Sequence, residues 1–365
     1  MSTPKKVFTK GNEAIAMAAI NAGCHYYFGY PITPQNEIPE YMAMHLPTVG
    51  GEFLQAESEI ASINMLLGAA ATGVRVMTSS SGPGISLMQE GFSYFAGNEL
   101  PAVVVNMSRQ GPGLGGINAT QGDYFQSVKG GGHGDYKLIV LAPHTGQELY
   151  DLTIKAFELA EKYRILTLVL GDAILGQIKE PIVPWIPEKT SGDADRDWLI
   201  TGAKGREPRR ITSLFLADGA MEKHNWHLQE KYDRIERDDV MVEEVDTEDA
   251  ELVVVAFGSV ARIVKSAIAQ VREAGMKVGL VRPITLFPFP RKTLLELGSR
   301  TKNFLVAEMN TGQMVEDVRL SLPDGCKVDF YGRPGGSVPT PEDLFDVISE
   351  TYKKLQSPDG GGRKL

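Results

Sequence analysis

Glu59 is an acid at the head of a helix that carries almost no other polar group. The stretch from Glu57 to Gly73 reads as a helix of small and aliphatic residues. Steps of three or four from Glu59 reach Ile63, Leu66 and Ala70, which aligns the acid with an apolar stripe. An ionised carboxylate there is costly unless something pairs with it, which suits it to sharing a proton with a bound base. The same position also suits an acid stabilised by the positive end of the helix dipole.

Three loops set an isolated functional group among glycines or prolines, each beside a strand end. In Gly29-Tyr-Pro-Ile-Thr-Pro34 the prolines Pro31 and Pro34 stiffen the backbone, so that the loop can aim the Thr33 hydroxyl into a cleft. Thr33 serves equally well as the cap of the next helix. Ser79-Ser-Ser-Gly-Pro-Gly84 runs from a strand into a helix and offers Ser80, Ser81 and the Gly82 backbone to a polar ligand. It lacks the lysine of a nucleotide P-loop, and close helix–strand packing also explains its glycines. The third loop follows a hydrophobic strand and begins Arg109-Gln-Gly-Pro-Gly-Leu-Gly115. Its arginine suits bidentate capture of a carboxylate, or a structural ion pair at the sheet edge. His133, in a glycine loop, is either an acid–base group or an incidental surface residue. The six histidines show no metal-ligand spacing, and no Gly-x-Ser-x-Gly elbow occurs.

The elements that must position these groups alternate in the manner of an α/β fold. Helices are predicted at 11–22, 35–45, 85–95 and 147–163, and strands at 25–28, 74–78, 101–106, 136–141 and 165–170. Ligands bind at the carboxyl ends of strands in such sheets, which is where all three loops fall. Residues 1–180 form a first domain, and periodicity weakens across 181–250, read as a linker or strap. A second α/β domain spans 251–356, with strands at 251–257, 277–281, 303–308 and 327–331 and helices at 260–274 and 341–355. The Gly-rich residues 357–365 are expected to be disordered.

A net charge of −9 argues against nucleic acid as a partner, and no apolar run is long enough to span a membrane. The basic residues near Met1 are not followed by an apolar signal core, and Cys24 and Cys326 are the only cysteines. A reducing cytoplasm is therefore expected. Two cysteines cannot ligate a four-cysteine iron–sulfur cluster.

Taken in order, six segments resemble the α-subunits of 2-oxoacid:ferredoxin oxidoreductases. The similarity is greatest to the branched-chain (2-oxoisovalerate) type, with the 2-oxoglutarate type next, and it covers nearly the whole chain. The segments are Gly29-Tyr-Pro-Ile-Thr-Pro34, Glu57-Ser-Glu-Ile-Ala61, Thr78-Ser-Ser-Ser-Gly-Pro-Gly84 and Arg109-Gln-Gly-Pro-Gly-Leu-Gly115. Gly131-Gly-His-Gly-Asp-Tyr136 and Arg282-Pro-Ile-Thr-Leu-Phe-Pro288 complete the set.

The resemblance implies a thiamine diphosphate-binding pyrimidine domain, a parallel sheet with helices on both faces, followed by a transketolase C-terminal-like α/β domain. It implies that Glu59 contacts the pyrimidine ring, with Pro31, Ser80, Ser81 and Gly82 around the cofactor. Thr33 and Arg109 would act on the 2-oxoacid carboxylate. The Gly-Asp-Gly motif that holds magnesium and diphosphate in thiamine enzymes is missing, since no Gly-Asp pair here is followed by a second glycine. No metal ligand is therefore assigned to this chain. The resemblance places that motif on a β-subunit, with a γ-subunit, a ferredoxin-like subunit carrying [4Fe-4S] clusters, and ferredoxin as further partners. Coenzyme A would be the acyl acceptor. Where 2-oxoglutarate-type relatives carry Arg-x-Gly-Pro-Ser-Thr-Gly, this chain has Gly113 and Leu114, which favours an apolar 2-oxoacid. The alternatives are a β-type subunit of a lipoyl-linked 2-oxoacid dehydrogenase and a dinucleotide- or flavin-binding electron-transfer subunit. The latter lacks its Gly-x-Gly-x-x-Gly here.

Overall fold

Fully apolar runs alternating with amphipathic ones produce a parallel sheet covered on both faces. The computed structural model describes residues 6–188 and 196–356, so the predicted tail at 357–365 lies outside the described residues. The first part contains β1 (Val7–Lys10), α1 (Gly11–Asn21), β2 (Tyr26–Gly29), α2 (Glu37–His45), β3 (Glu52–Gln55) and α3 (Glu59–Ala70). Next come β4 (Val76–Ser80), α4 (Pro83–Asn98), β5 (Ala102–Ser108), α5 (Tyr124–Val128), β6 (Ile139–Leu141) and α6 (Gly146–Tyr163). β7 (Leu166–Asp172), α7 (Ala173–Gln177) and β8 (Lys179–Ile182) follow. β4, β5 and β7 are buried along their whole length.

The remaining elements are α8 (Ala220–Asp238), β9 (Val242–Val245), β10 (Leu252–Val255), α9 (Gly258–Glu273), β11 (Val278–Pro283) and β12 (Thr285–Phe287). α10 (Arg291–Arg300), β13 (Asn303–Glu308), α11 (Met314–Ser321), β14 (Lys327–Gly332) and α12 (Pro341–Gln356) complete the chain.

Three sheets organise these elements, the smallest an antiparallel pair of β1 and β8. A seven-stranded sheet has the order β12-β6-β7-β5-β4-β2-β3, and a five-stranded sheet has the order β14-β13-β10-β11-β9. Each is parallel except for one edge strand, β12 in the first and β9 in the second. The stretch read as a linker is thus partly built into the fold. It supplies α8, which packs Leu228, Tyr232 and Ile235 inward, and β9, which pairs with β11. The segment after Arg282 crosses back, so that β12 forms the edge of the first sheet beside β6.

The two halves are also joined by a charged network. Arg282, only 2% exposed, donates from Nη1 and Nη2 to the two Glu148 carboxylate oxygens at 2.9 and 2.7 Å, and from Nε to Glu243 at 2.6 Å. Lys265 donates to Glu243 at 2.6 Å, and the His144 ring lies 2.7 Å from Glu148. Burial alone would raise the Glu148 carboxyl. Hydrogen bonds with His144 and Arg282, and their charges, instead hold it down at about 2. Among the described residues, no helix is long and apolar enough to cross a membrane.

Candidate active site

The helix α3 begins as the apolar stripe predicts. Ser58 caps it, its Oγ accepting from the Ala61 amide at 3.2 Å, and Glu59, Ile63, Leu66 and Ala70 are all buried. The fit of α3 against α4 depends on Gly91, where a Cβ would lie 2.5 Å from Ile63 Cγ1. This packing fixes Glu59 at the carboxyl edge of the seven-stranded sheet, beside the end of β4.

The Glu59 side chain is 6% exposed and has no hydrogen-bond or ion-pair partner among the described residues. Its neighbours are Ser80 and Gly84. A Cβ on residue 84 would sit 2.2 Å from Ser80 Oγ and 2.5 Å from Glu59 Oε1, so the glycine leaves these two groups room side by side. The hydroxyls of Ser80 and Ser81 are buried and also without a partner among the described residues. Glu59 and Ser80 thus leave open hydrogen-bonding capacity side by side, with Ser81 next along the chain. Buried polar groups are normally satisfied, and unsatisfied ones side by side suit a polar ligand.

Arg109 approaches from β5, the strand beside β4. It passes over Gly82, whose φ of +47° favours glycine and where a Cβ would come within 3.3 Å of Arg109 Cγ and Nε. Its Nη1 donates to the Thr33 carbonyl at 2.9 Å and its Nη2 to the Leu114 carbonyl at 3.2 Å, while its buried Nε has no partner among the described residues. The arginine thus ties the proline loop to its own glycine loop. Loops after three adjacent strands, β2, β4 and β5, converge on it. Pro31 and Thr33 are exposed on the first of these loops, and Thr33 borders a cleft of about 520 Å³ with Ile117, Ile174 and Val338.

His133 is exposed in its glycine loop, which is anchored where Gln89 and Tyr136 accept from the Gly131 amide. Asp123 was not singled out from the sequence, where it appears only as half of an incomplete Gly-Asp-Gly. Its Oδ2 accepts from Asn106 Nδ2 and from Ser108 Oγ, each at 3.0 Å, and it borders a second cleft of about 360 Å³. Burial raises the Asp123 carboxyl above its ordinary range, against the lowering effect of those two bonds and the Arg109 charge. No cluster of three or more histidine, cysteine or acidic side chains is placed to hold a metal among the described residues.

Comparison with known proteins bears on this geometry. A family model described as pyruvate flavodoxin/ferredoxin oxidoreductase, thiamine diphosphate-binding, matches residues 17–248. The model for pyruvate:ferredoxin oxidoreductase core domain II matches residues 250–344. The chain is 50% identical to ketoisovalerate oxidoreductase subunit VorB of Methanothermobacter thermautotrophicus, covering 93% of this chain and 96% of that one. It is 38% identical to 2-oxoglutarate synthase subunit KorA of Methanocaldococcus jannaschii, covering 94% and 99%. Among solved structures it is similar to a 2-oxoglutarate:ferredoxin oxidoreductase from Magnetococcus marinus, with 2-oxoglutarate, coenzyme A and succinyl-CoA bound. The TM-score is 0.87 at 28% identity, over 96% of this chain and 66% of that longer one. A split-gene transketolase shares the fold at a TM-score of 0.57 and 12% identity, over 94% and 97% of the two chains.

Proposed function

The chain belongs to the 2-oxoacid:ferredoxin oxidoreductase family, and we propose that it is the α-type subunit of a branched-chain member. In this reading it supplies the ring-facing half of a thiamine diphosphate site, and 3-methyl-2-oxobutanoate is the favoured substrate. The observation that carries the reading is the buried, unpartnered Glu59 carboxylate set against Ser80 and Gly84. Glu59 would face the aminopyrimidine ring, with Pro31, Ser80, Ser81 and the Gly82 backbone around it. Thiamine diphosphate, when bound, provides the electron sink that lets carbon dioxide leave a 2-oxoacid.

The residues of this chain have separable tasks. Glu59 would hold or release a proton at its carboxylate, to which no described residue is hydrogen-bonded. Gly82 and Gly84 keep backbone and side chains clear of the ring. Arg109 and Thr33 would engage the substrate carboxylate, and the exposed Leu114 presents an aliphatic side chain where a hydroxyl would suit a more polar substrate. The greater identity to the ketoisovalerate oxidoreductase subunit VorB than to the 2-oxoglutarate synthase subunit KorA supports the branched-chain preference. Magnesium and diphosphate binding would fall to a β-subunit. A γ-subunit, a ferredoxin-like subunit with [4Fe-4S] clusters, and ferredoxin would complete electron transfer, with coenzyme A taking the acyl group.

The test is coenzyme A-dependent reduction of a viologen dye by the native complex, across several 2-oxoacids. The highest kcat/KM is expected with 3-methyl-2-oxobutanoate. A preference for 2-oxoglutarate would overturn the substrate assignment, and no coenzyme A-dependent reduction would overturn the activity. In the same assay Arg109→Ala is expected to raise KM for the 2-oxoacid by roughly 10- to 100-fold, since a hydrogen bond to a charged group contributes about 1.5–3 kcal/mol. An unchanged KM would remove the arginine from carboxylate binding.

A further inference from the structure

The end of β5 carries polar side chains that the reading above does not use. In a parallel pair, residues in register share one face of the sheet, and alternate residues along a strand return to it. Ser80 on β4 is in register with Asn106 on β5, and Ser108 lies two residues further along. The Ser80 hydroxyl faces Gly84 and Glu59, so Asn106 and Ser108 belong to the same face as the catalytic acid. Asn106 is fully buried. Its Nδ2 donates to Asp123, and its Oδ1 has no partner among the described residues. Polar side chains therefore line one face of the sheet edge, from Glu59 past Ser80 and Asn106 to Asp123, joined among the described residues by the Asn106–Asp123 hydrogen bond and elsewhere by proximity.

Strips of this kind are unusual inside an otherwise apolar layer, because each unsatisfied buried atom costs stability. The Asp123 carboxylate fixes the strip from one end. By accepting from both Asn106 and Ser108 it dictates which way the Asn106 amide is turned. The amide oxygen is left free on the side away from Asp123.

We propose that Asp123 is a positioning residue for the reaction, acting on Glu59 through Asn106 and Ser80. This rests on the reading of Glu59 as the ring-facing acid. Asp123 holds the amide of Asn106 in one orientation, which sets the polar surroundings of the Ser80 hydroxyl, and the hydroxyl in turn borders the Glu59 carboxylate. The residue would then govern how well Glu59 is placed for its proton, without touching substrate.

The experiment uses the assembled complex carrying Asp123→Asn, Ser80→Ala or both. It measures kcat, KM for the 2-oxoacid, and the dissociation constant of thiamine diphosphate titrated into the cofactor-free complex. Asp123→Asn is expected to lower kcat about tenfold with KM within twofold, and to weaken cofactor binding severalfold. Because both substitutions interrupt one strip, the double variant should lose little more than Ser80→Ala alone. A raised KM with unchanged kcat would instead place Asp123 behind Arg109 and overturn the proposal. Strictly additive effects, or no change in kcat and cofactor affinity, would also overturn it. If Asp123→Asn does not fold, Ser108→Ala removes one of the two bonds that Asp123 accepts. It should reproduce the kcat loss in milder form, and unchanged kcat and cofactor affinity would overturn the proposal. An inactive Glu59→Gln complex beside a normal Asp123→Asn complex would sink this inference alone. An active Glu59→Gln complex would sink both.

Discussion

Glu59→Gln, assembled with its partner subunits, is expected to keep its fold and lose roughly 10²- to 10⁴-fold in turnover, the usual contribution of a positioned acid–base group. Glutamine has nearly the same shape and can still form a hydrogen bond to a ring nitrogen, but it cannot take or give the proton. The protein should tolerate the change well. Glu59 makes no hydrogen bond or ion pair with the described residues, and the cap of α3 is Ser58. The favourable helix-dipole interaction it would forfeit is about 0.3–1 kcal/mol. Thermal melting and circular dichroism should therefore be close to wild type while coenzyme A-dependent dye reduction collapses. Near-normal turnover would reject Glu59 as the acid.

The second large effect concerns stability. Arg282→Met should destabilise the protein by about 3–5 kcal/mol, because removing one partner of a buried ion pair strands the others. Two carboxylates, Glu148 and Glu243, lose their bonds to the same guanidinium. The comparison is Lys292–Glu296, where both side chains are well exposed and removal should change little. Acid titration supplies a further check. Glu148 is held at about 2, below its ordinary 4.5, so its contribution is complete above pH 4.5 and fades as pH falls toward 2. In Arg282→Met that carboxyl should move back toward its ordinary value, and the loss of stability between those two pH values should shrink. An unchanged melting temperature would mean that the network adds nothing to the fold.

The helix stripe was legible because its period is local. Ile63, Leu66 and Ala70 recur at the spacing that buries one face, and nothing distant is needed to recognise it. The loop residues were legible for a related reason, since each follows a hydrophobic strand of the sheet. β9 was hidden by its own acids. Glu243 and Glu244 look solvated in the sequence, yet Glu243 is matched by Arg282 and Lys265 from elsewhere in the chain. In α8 the inward set of Leu228, Tyr232 and Ile235 has helical spacing, but strongly charged residues surround it. Asp123 escaped notice because its significance depends on Asn106 and Ser108, which reach it only through the fold.

β12 has a consequence for synthesis. The strand that closes the edge of the first sheet lies at residues 285–287, more than a hundred residues after β7, its other near neighbour across β6. As the chain leaves the ribosome, β6 must wait with an open row of amides and carbonyls until much of the second half has emerged. An uncovered edge of this type invites pairing with another nascent copy. A fragment ending near residue 250 would keep every proposed site residue and still lack its protective border, so it should accumulate as aggregate. The half that carries the proposed site is therefore not a portable module.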